Sequence, residues 1–547
     1  MLEEKIKKII AKVTGLKKEE IFLEKPKENY GDFAFPCFKF ASSLGKKPEE
    51  LAKELAKKIK PEKEIEKVEA LNGYVNFFIK KDTFFKEIFK KKEKKIKKRK
   101  LILVESPGPN TNKPLHVGHL RNLFIGDSIA RILEFVGYDV KRVDTINDRG
   151  IHICKSMLAY KKWGKNKKPD KKPDHFVGYF YVLFSKKAKE NPKLEEEAQE
   201  LLRRWENKDE EVIKLWKKMN SWAMKGIKQT YKVLGFKHDK QYFESETYEK
   251  GKEIVLEGLK RGIFKKEDKV VFVDLGELGK KILLRSDGTS LYITQDIYLA
   301  KKRYEDYKFD KLIYVVASEQ EHHFKSLFKI LELLGYKWVK RLVHLSYGMV
   351  HLPGGKMKSR EGIVVDADDL IKEVFESAKE ELRKRYTLKK KQLEKRALAI
   401  ALAALRFFLL KTDIKKDILF DKKAALDFEG FSGPYLQYSY ARACSILRKA
   451  RKKGRLSFEN IHETEIFLAK KIYEFNEIVK KAALQLKPDI IAIYCYELAQ
   501  VFNNFYHSCP VLRAEKEKNR RIALVEAFKK TMKDCLHLLG IAALERM

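Results

Sequence analysis

The sequence predicts a multidomain chain built around a doubly wound α/β unit, with a small α+β unit before it and an all-helical unit after it. Three observations carry this. The chain has 547 residues, more than one hydrophobic core of ordinary size accommodates. Between residues 101 and 144 a short apolar run, a Pro/Gly/Asn loop, a helical pattern and a second short run follow one another. That is the strand–loop–helix–strand start of a parallel sheet with helices on its faces. From about residue 368 the apolar spacing is helical almost to Met547, with no strand pattern between.

The first unit, residues 1–98, opens with Leu2, Ile6, Ile9, Ile10 and Val13 at helical spacing among lysines. A second helix is predicted around Pro48 to Ile59, and the strand-like stretch 68–79 is split by Asn72-Gly73, a hairpin signal. The unit closes on the run Lys86 to Lys100, which holds ten Lys/Arg and two Glu; it reads equally as a solvated helical face or a contact for a polyanion. The α/β unit, 99–385, starts with the buried-strand pattern 101–105. A helix from about 117 to Gly137 and a strand at 138–144 follow. A polar helical stretch at about 155–265, rich in Lys and Trp, reads as an insertion. Strand patterns resume at 311–317 and 341–345, with a helix between them ending at Gly335. Residues 386–547 form the helical unit. No internal repeat is present.

Composition narrows the function. Apolar residues make up 44% and aromatics 12%, enough for packed domains. The net charge is +40, from 118 Lys/Arg against 78 Asp/Glu, which points to a polyanionic partner, nucleic acid first. A lysine-rich surface accounts for part of that excess, and the dominance of Lys over Arg favours diffuse attraction to phosphate over base reading. Six scattered cysteines without a CxxC pair argue against structural zinc and against a disulfide framework. The longest apolar stretch, Ala397 to Leu410, is too short for a membrane span and is broken by Arg406. No apolar signal segment opens the chain. A soluble protein of the reducing cytoplasm is expected, with no membrane partner.

Two motifs carry chemistry. His116-Val117-Gly118-His119 follows a strand and loop and opens a helix. Two imidazoles three apart at a helix N-terminus donate to phosphate oxygens beside backbone N–H groups that already favour anions. Gly118 leaves room for adenine or ribose against the backbone. Two plain surface histidines are the alternative, and the strand–loop–helix context weighs against it. The second motif is Gly354-Gly355-Lys356-Met357-Lys358-Ser359-Arg360-Glu361-Gly362. Paired glycines followed by cations make a loop able to close over a triphosphate, although alone it reads as well as a charged turn.

Together the two motifs resemble the signature couple of class I aminoacyl-tRNA synthetases. The resemblance sharpens to arginyl-tRNA synthetases and runs over essentially the whole chain. It is carried by residues 105–122, whose His116 to Asn122 ends the family's extended first signature, and by Asn147-Asp148-Arg149-Gly150 and Tyr292-Ile293-Thr294-Gln295-Asp296. Ala317-Ser318-Glu319-Gln320, Tyr347-Gly348-Met349-Val350, Gly433-Pro434-Tyr435-Leu436-Gln437-Tyr438 and the ending Leu538-Leu539-Gly540-Ile541 also match.

The resemblance implies a Rossmann-type catalytic domain with an inserted domain, an additional N-terminal tRNA-binding domain and a helical anticodon-binding bundle. The implied substrates are L-arginine, ATP with Mg²⁺ carried on it, and tRNA(Arg); the implied protein is a monomer that requires bound tRNA before activation. Catalytic roles fall on Lys113, His116, His119 and Lys356. ATP contacts fall on His116, Gly118, His119, Met349 and Val350, and on Lys356, Met357, Lys358 and Ser359. The arginine pocket falls on Glu105, Asn110, Tyr292, Asp296 and Gln320. Two carboxylates and an aromatic face suit a planar cation with five donors, and Tyr292 and Asp296 at i and i+4 share one side of a helix start. For tRNA the matching positions are Asn72, Tyr74 and Asn76 near the N-terminus, beside Asn29-Tyr30-Gly31-Asp32, and Tyr435, Gln437, Tyr438 and Arg442 in the helical unit.

One departure matters. The usual second signature is Lys-Met-Ser-Lys-Ser, and here Ser359 stands at its second lysine, with Lys358 one place earlier. Arginyl enzymes often carry a lysine just before the first signature instead, matched by Lys113; whether Lys358 reaches phosphate stays open. Gly108 stands where some relatives carry Ser near the substrate amine. A class I synthetase for another amino acid and a non-catalytic tRNA-binding paralogue are the remaining alternatives.

Overall fold

A computed structural model of the chain describes residues 2–26, 29–90, 100–351, 365–450 and 454–547. They form two compact units. One collects the described residues up to 90 with those of 443–476 and 498–531; the other collects those of 100–442, 477–497 and 532–547.

In the first unit, α1 (Leu2–Thr14) buries Leu2, Ile6 and Ile10 along one stripe. It is followed by β1 (Phe33–Pro36), α2 (Phe38–Ser43) and α3 (Pro48–Lys58). α3 starts on a proline with Glu49 and Glu50 in its first turn and ends on Lys57 and Lys58, a charge order that suits the helix dipole. Next come β2 (Ile65–Leu71), β3 (Tyr74–Ile79) and α4 (Lys81–Phe89). β2 and β3 pair antiparallel, with β1 on the other edge of β3. Asn72 at φ 48° and Gly73 at φ 80° make the two-residue turn with positive φ that matches strand twist. This unit is closed by helices from the far end of the chain: the Tyr473 hydroxyl accepts from the Leu2 amide at 2.9 Å and its ring packs edge-on against Phe84 at 5.6 Å. Reading residues 1–98 as a separate block gave no sign of this.

The second unit begins with β4 (Leu101–Glu105), α5 (Val117–Phe135) and β5 (Asp139–Ile146). Four helices follow: α6 (Ile151–Trp163), α7 (Pro173–Glu190), α8 (Lys193–Glu206) and α9 (Glu210–Leu234). They share a core of their own around Met157, Phe176, Phe180, Phe184 and Trp205. β6 (Lys240–Phe243) and α10 (Glu244–Lys260) come next. The expected insertion at 155–265 is therefore not helical throughout, because β6 pairs parallel with β5 as a further strand of the main sheet. Its sequence, LysGlnTyrPhe, has no apolar run to announce it. β7 (Lys265–Glu267), β8 (Val270–Asp274) and β9 (Lys280–Leu284) then make a small antiparallel sheet that the sequence reading also missed.

After it stand α11 (Tyr292–Tyr307), β10 (Lys311–Ala317), α12 (Glu321–Leu333), β11 (Leu342–Tyr347) and β12 (Val350–His351). The main sheet has the order β11-β10-β4-β5-β6 with all pairs parallel. Ile102, Leu103 and Val104 are buried on both faces of β4, as a central parallel strand requires. The chain leaves β4 toward β5 on one side and returns through β10 on the other, so a crevice opens outside the carboxyl ends of β4 and β10. α13 (Ala367–Arg385), α14 (Lys390–Leu410) and β13 (Ile418–Leu419) lie downstream, and β13 pairs parallel with β12. The chain ends in α15 (Lys422–Leu426), α16 (Gly433–Lys449), α17 (Glu463–Gln485), α18 (Pro488–Ser508) and α19 (Lys518–Leu538). Among the described residues no helix is long and apolar enough to cross a membrane, and all six cysteines are buried and unbridged.

Candidate active site

The crevice is headed by the N-terminus of α5. His116 caps that helix: its Nδ1 accepts the Gly118 N–H at 3.2 Å, while Nδ1 of His119 accepts the His116 N–H at 3.1 Å. The two rings lie 3.9 Å apart. With Nδ1 accepting in both, each neutral ring carries its hydrogen on Nε2, free to donate outward. Burial, and then the Lys113 charge, push His116 down to about 3; burial, His116 and Lys113 push His119 well below the ordinary imidazole value. Both rings are uncharged donors at neutral pH. A Cβ at residue 118 would meet the His116 ring at 3.0 Å, so the glycine is demanded first by its neighbour's cap.

Positive charge comes from Lys113. Burial lowers its ammonium pKa, and among the described residues no carboxylate pairs with it. Its loop is backed by α7, where a Cβ at Gly178 would come within 2.8 Å of Pro114. A desolvated cation with no counter-charge among the described residues, in the loop just before a helix N-terminus, is able to receive a phosphate group.

The segments flanking the second signature in the sequence bond to α5 and the loop before it. Arg121, fully buried, donates to the carbonyls of Gly348, Met349, Ile414 and Lys416, and burial brings its pKa down to about 10. Val350, the other expected ATP contact on this segment, is buried in β12. On the far side of the second signature, the Val117 N–H donates to Val365 O at 3.1 Å and the Ala367 N–H to Leu115 O at 2.9 Å. Lys356, Met357, Lys358 and Ser359 between these anchors lie outside the described residues.

A charged cluster seats the start of α13 on the inserted helices. His175 reaches Asp368 at 2.9 Å, and Lys172 lies 2.6 Å from Asp174 and 2.7 Å from Asp368. Asp174, His175 and Asp368 are close enough to hold a metal ion, but the Lys172 ammonium already sits against both carboxylates. The hydrogen bond to Asp368 raises the His175 pKa. Its stabilising charge is therefore fully present below the unfolded value near 6.5 and is lost as pH rises through the higher folded value. We expect the melting-temperature gap between the wild type and His175→Gln to be widest below the unfolded value near 6.5 and to close as pH rises through the higher folded value. A gap independent of pH would show that the contact is not ionic.

The candidate arginine pocket lies along the same edge. Tyr292 is the first residue of α11 and is 57% exposed; Asp296 stands one turn on, with Oδ2 at 2.7 Å from Nε2 of His323. Gln320 is exposed just after β10. Asn110 bridges Asn147 at the end of β5. Its loop is fixed by the Gly108 N–H donating to Asp144 at 3.0 Å, a buried carboxyl that burial pushes up to about 7. Glu105 needs correction as a free counter-charge for the substrate. Its carboxylate sits 2.5 Å from Arg303, a buried residue of α11, and accepts from the Thr145 hydroxyl at 2.8 Å. Against burial, Glu105 keeps Arg303 charged, so this carboxylate already has a cationic partner within the protein.

In the first unit, Asn72 is exposed in its turn and Tyr74 packs edge-on against Phe38 at 5.1 Å. Asn76 is buried but lines a pocket of about 280 Å³ with Asn29, Tyr30, Glu69 and Phe78. In α16, Tyr435 packs on Tyr496 at 5.4 Å, and Arg442 lies over the Tyr438 ring at 4.8 Å. Gln437 is a correction: it is fully buried and donates to the carbonyls of Ala399 and Ala542, so it holds the end of the chain and offers nothing to tRNA. Arg121, part of the first signature but given no role there by the sequence, is the residue that fastens Gly348 and Met349 to α5.

A parallel sheet open at its switch point, an HxGH helix start there and, in the sequence, a second signature whose flanking residues bond to that helix and its loop define a class I aminoacyl-tRNA synthetase. Residues 85–422 match the family model described as the class I (R) tRNA synthetase catalytic domain. Residues 436–547 match the DALR anticodon binding domain and 1–79 the arginyl tRNA synthetase N-terminal domain. The chain is 46% identical to the arginine–tRNA ligase of Treponema denticola, over 97% of this chain and 95% of that one. It is 43% identical to that of Borrelia turicatae, over 100% and 99%. Its fold superposes on Thermus thermophilus arginyl-tRNA synthetase with a TM-score of 0.87 at 28% identity, covering all of both chains. The chain belongs to the arginyl-tRNA synthetase family.

Proposed function

We infer that the protein joins L-arginine to the 3′-terminal adenosine of tRNA(Arg) in two steps. The arginine carboxylate attacks the α-phosphorus of ATP, which enters with its Mg²⁺, giving arginyl-adenylate and pyrophosphate. A ribose hydroxyl of the terminal adenosine then takes the arginyl group and AMP leaves. No side-chain nucleophile is required; positioning and phosphate electrostatics supply the acceleration. The Nε2–H groups of His116 and His119 donate to phosphate oxygens, and Lys113 neutralises charge that builds at the α-phosphate. Asp296 takes the guanidinium, Tyr292 covers it, and Asn110 and Gln320 hold the amino and carboxylate groups.

One observation carries this reading: a partly buried lysine with no carboxylate partner among the described residues, beside two neutral imidazole donors at the helix start that heads the crevice. The test is ATP–pyrophosphate exchange with each amino acid in turn, with and without tRNA. Exchange with arginine alone, dependent on tRNA, is expected; exchange with lysine, or tRNA binding without arginylation, would overturn it.

The net charge of +40 and the pocket around Tyr30 and Asn76 support tRNA binding at the N-terminal domain, with an exposed base stacked on Tyr30. Affinity should fall steeply with salt. Tyr30→Ala should weaken tRNA binding by about 1–3 kcal/mol, the worth of one base–aromatic stack, without changing the salt slope. Filter binding across a salt series checks both. Tyr438 and Arg442 are read as contacts for the anticodon stem-loop. We place the protein in the cytoplasm as a monomer, which light scattering tests.

A further inference from the structure

The carboxyl of Asp144, unused in the scheme above, ties one loop of the arginine pocket to the inserted helices. Asp144 stands on β5 and is fully buried. Its Oδ1 accepts the Gly108 N–H at 3.0 Å. Its Oδ2 accepts from the Tyr231 hydroxyl on α9 and from Nε2 of Gln241 on β6, each at 3.2 Å. Three donors from three parts of the chain thus converge on one side chain.

No cation balances it. Among the described residues Asp144 pairs with no lysine or arginine, and the basic group beside it is His238, with Nε2 at 3.7 Å. Burial pushes that imidazole down to about 4, so it is neutral, and its Nε2–H already goes to Ser106 O at 2.7 Å. The Glu105 charge on β4 opposes ionisation of Asp144. Tyr231, raised well above its ordinary value by burial and then by Asp144, is a neutral donor. The carboxylate is therefore held by hydrogen bonds, against the cost of its burial.

The loop so held is residues 106–110. The Ser106 N–H donates to Val143 O at 3.1 Å and the Asn147 N–H to Pro109 O at 2.9 Å, while Nδ2 of Asn147 donates to Gly108 O at 3.2 Å. Gly108 has φ 71°, a conformation open to few other residues, and no side chain of its own to fix the turn. The backbone N–H that Asp144 grips lies two residues before Asn110.

We propose that Asp144 is a positioning residue for arginine binding, whose carboxylate clamps loop 106–110 to α9 and β6 and so sets the place of Asn110. The proposal rests on the reading of Asn110 as a contact for the substrate's amino and carboxylate groups. The ionised carboxylate offers lone pairs to all three donors. Once it takes a proton from solvent it has an O–H to place as well, and around Oδ2 stand a hydroxyl and an amide N–H that already donate. The clamp then loosens. Burial pushes this carboxyl up to about 7 against the pull of Gly108 and Gln241, so the change falls in the neutral range. Arginine affinity is full above that value and declines as pH falls through it.

The test is ATP–pyrophosphate exchange by the full-length protein with tRNA present, from about pH 6 to about pH 8, read as arginine KM, ATP KM and kcat. Asp144→Asn keeps the shape and an acceptor for Gly108 but never carries the charge. The ratio of its arginine KM to that of the wild type should grow from below about threefold at pH 6 to about tenfold at pH 8, the worth of roughly one hydrogen bond. Its ATP KM and kcat should hold a constant ratio to wild type. Asp148 and Glu244 also have raised values, about 6 and about 8, so the ratio decides and the wild-type profile alone does not. Tyr231→Phe keeps the charge with one donor fewer. It should move the inflection of the arginine KM profile up by roughly half a unit to one unit, and it carries the test if the Asn variant does not fold. A ratio near one at pH 8, a ratio independent of pH, or an unmoved inflection in Tyr231→Phe overturns the proposal. If Asn110→Ala leaves the arginine KM unchanged, the reading of this loop as part of the pocket falls; if Asn110→Ala raises it and Asp144→Asn does not, only the role of Asp144 falls.

Discussion

Asp296→Asn is expected to cripple arginine activation while leaving ATP binding nearly intact. The substitution keeps shape and hydrogen-bonding capacity and removes one charge. In the empty protein the carboxylate is about a third exposed and faces His323, so the fold should tolerate the change. Once arginine enters, the same group is covered and must balance a guanidinium that cannot lose its proton. Removing the partner of a desolvated charge costs ~2–5 kcal/mol. The arginine kcat/KM should therefore drop by roughly 30- to several-thousand-fold, with the ATP KM moving little. Pyrophosphate exchange over a range of arginine concentrations reads both. An unchanged arginine KM would remove Asp296 from the pocket.

Lys113→Ala is expected to act on the other substrate and on a different kinetic term. The structure sharpens the sequence argument, because this ammonium is partly buried, desolvated enough to lower its pKa, and faces no carboxylate among the described residues. Its neighbours His116 and His119 are neutral, so among the described residues it is the charge at the helix start. If it serves the transition state, its loss should slow adenylate formation by the ~2.7–4 kcal/mol typical of one preorganised donor, a factor of about 10²–10³ in kcat. Arginine and ATP affinities should change little. Lys358→Ala should be mild, and Ser359→Lys in the Lys113→Ala background should restore part of the rate. Near-normal exchange by Lys113→Ala would pass the role to Lys356 or Lys358.

Much of this was legible before any coordinates, for identifiable reasons. β4 and β10 occupy the expected residues, 101–105 and 311–317, since a central parallel strand must be apolar on both faces and announces itself as an unbroken run. The hairpin turn at Asn72-Gly73 was readable because positive φ at two successive positions admits few residue types. β6 was not, because an edge strand of four residues carries no pattern. The site divided in the same way. His116 and His119 belong to a motif whose spacing is its chemistry. Glu105 and Gln437 match family positions as letters, but their partners Arg303 and Ala542 lie far away in sequence, and no local pattern reveals such commitments.

The hydrogen bond from Leu2 to Tyr473 spans 471 residues of sequence, and it sets an order of events during synthesis. A helix is completed by a partner made 471 residues later. At ~5–20 residues per second, the surface of α4 that receives Tyr473 waits roughly 20–80 s for its cover after leaving the ribosome. During that interval Phe84 and Phe85 stand on an unfinished core, a target for chaperones and a liability for aggregation. A nonsense mutation far downstream, before the codon for Tyr473, would thus leave the amino-terminal domain unfinished as well as the helices it removes.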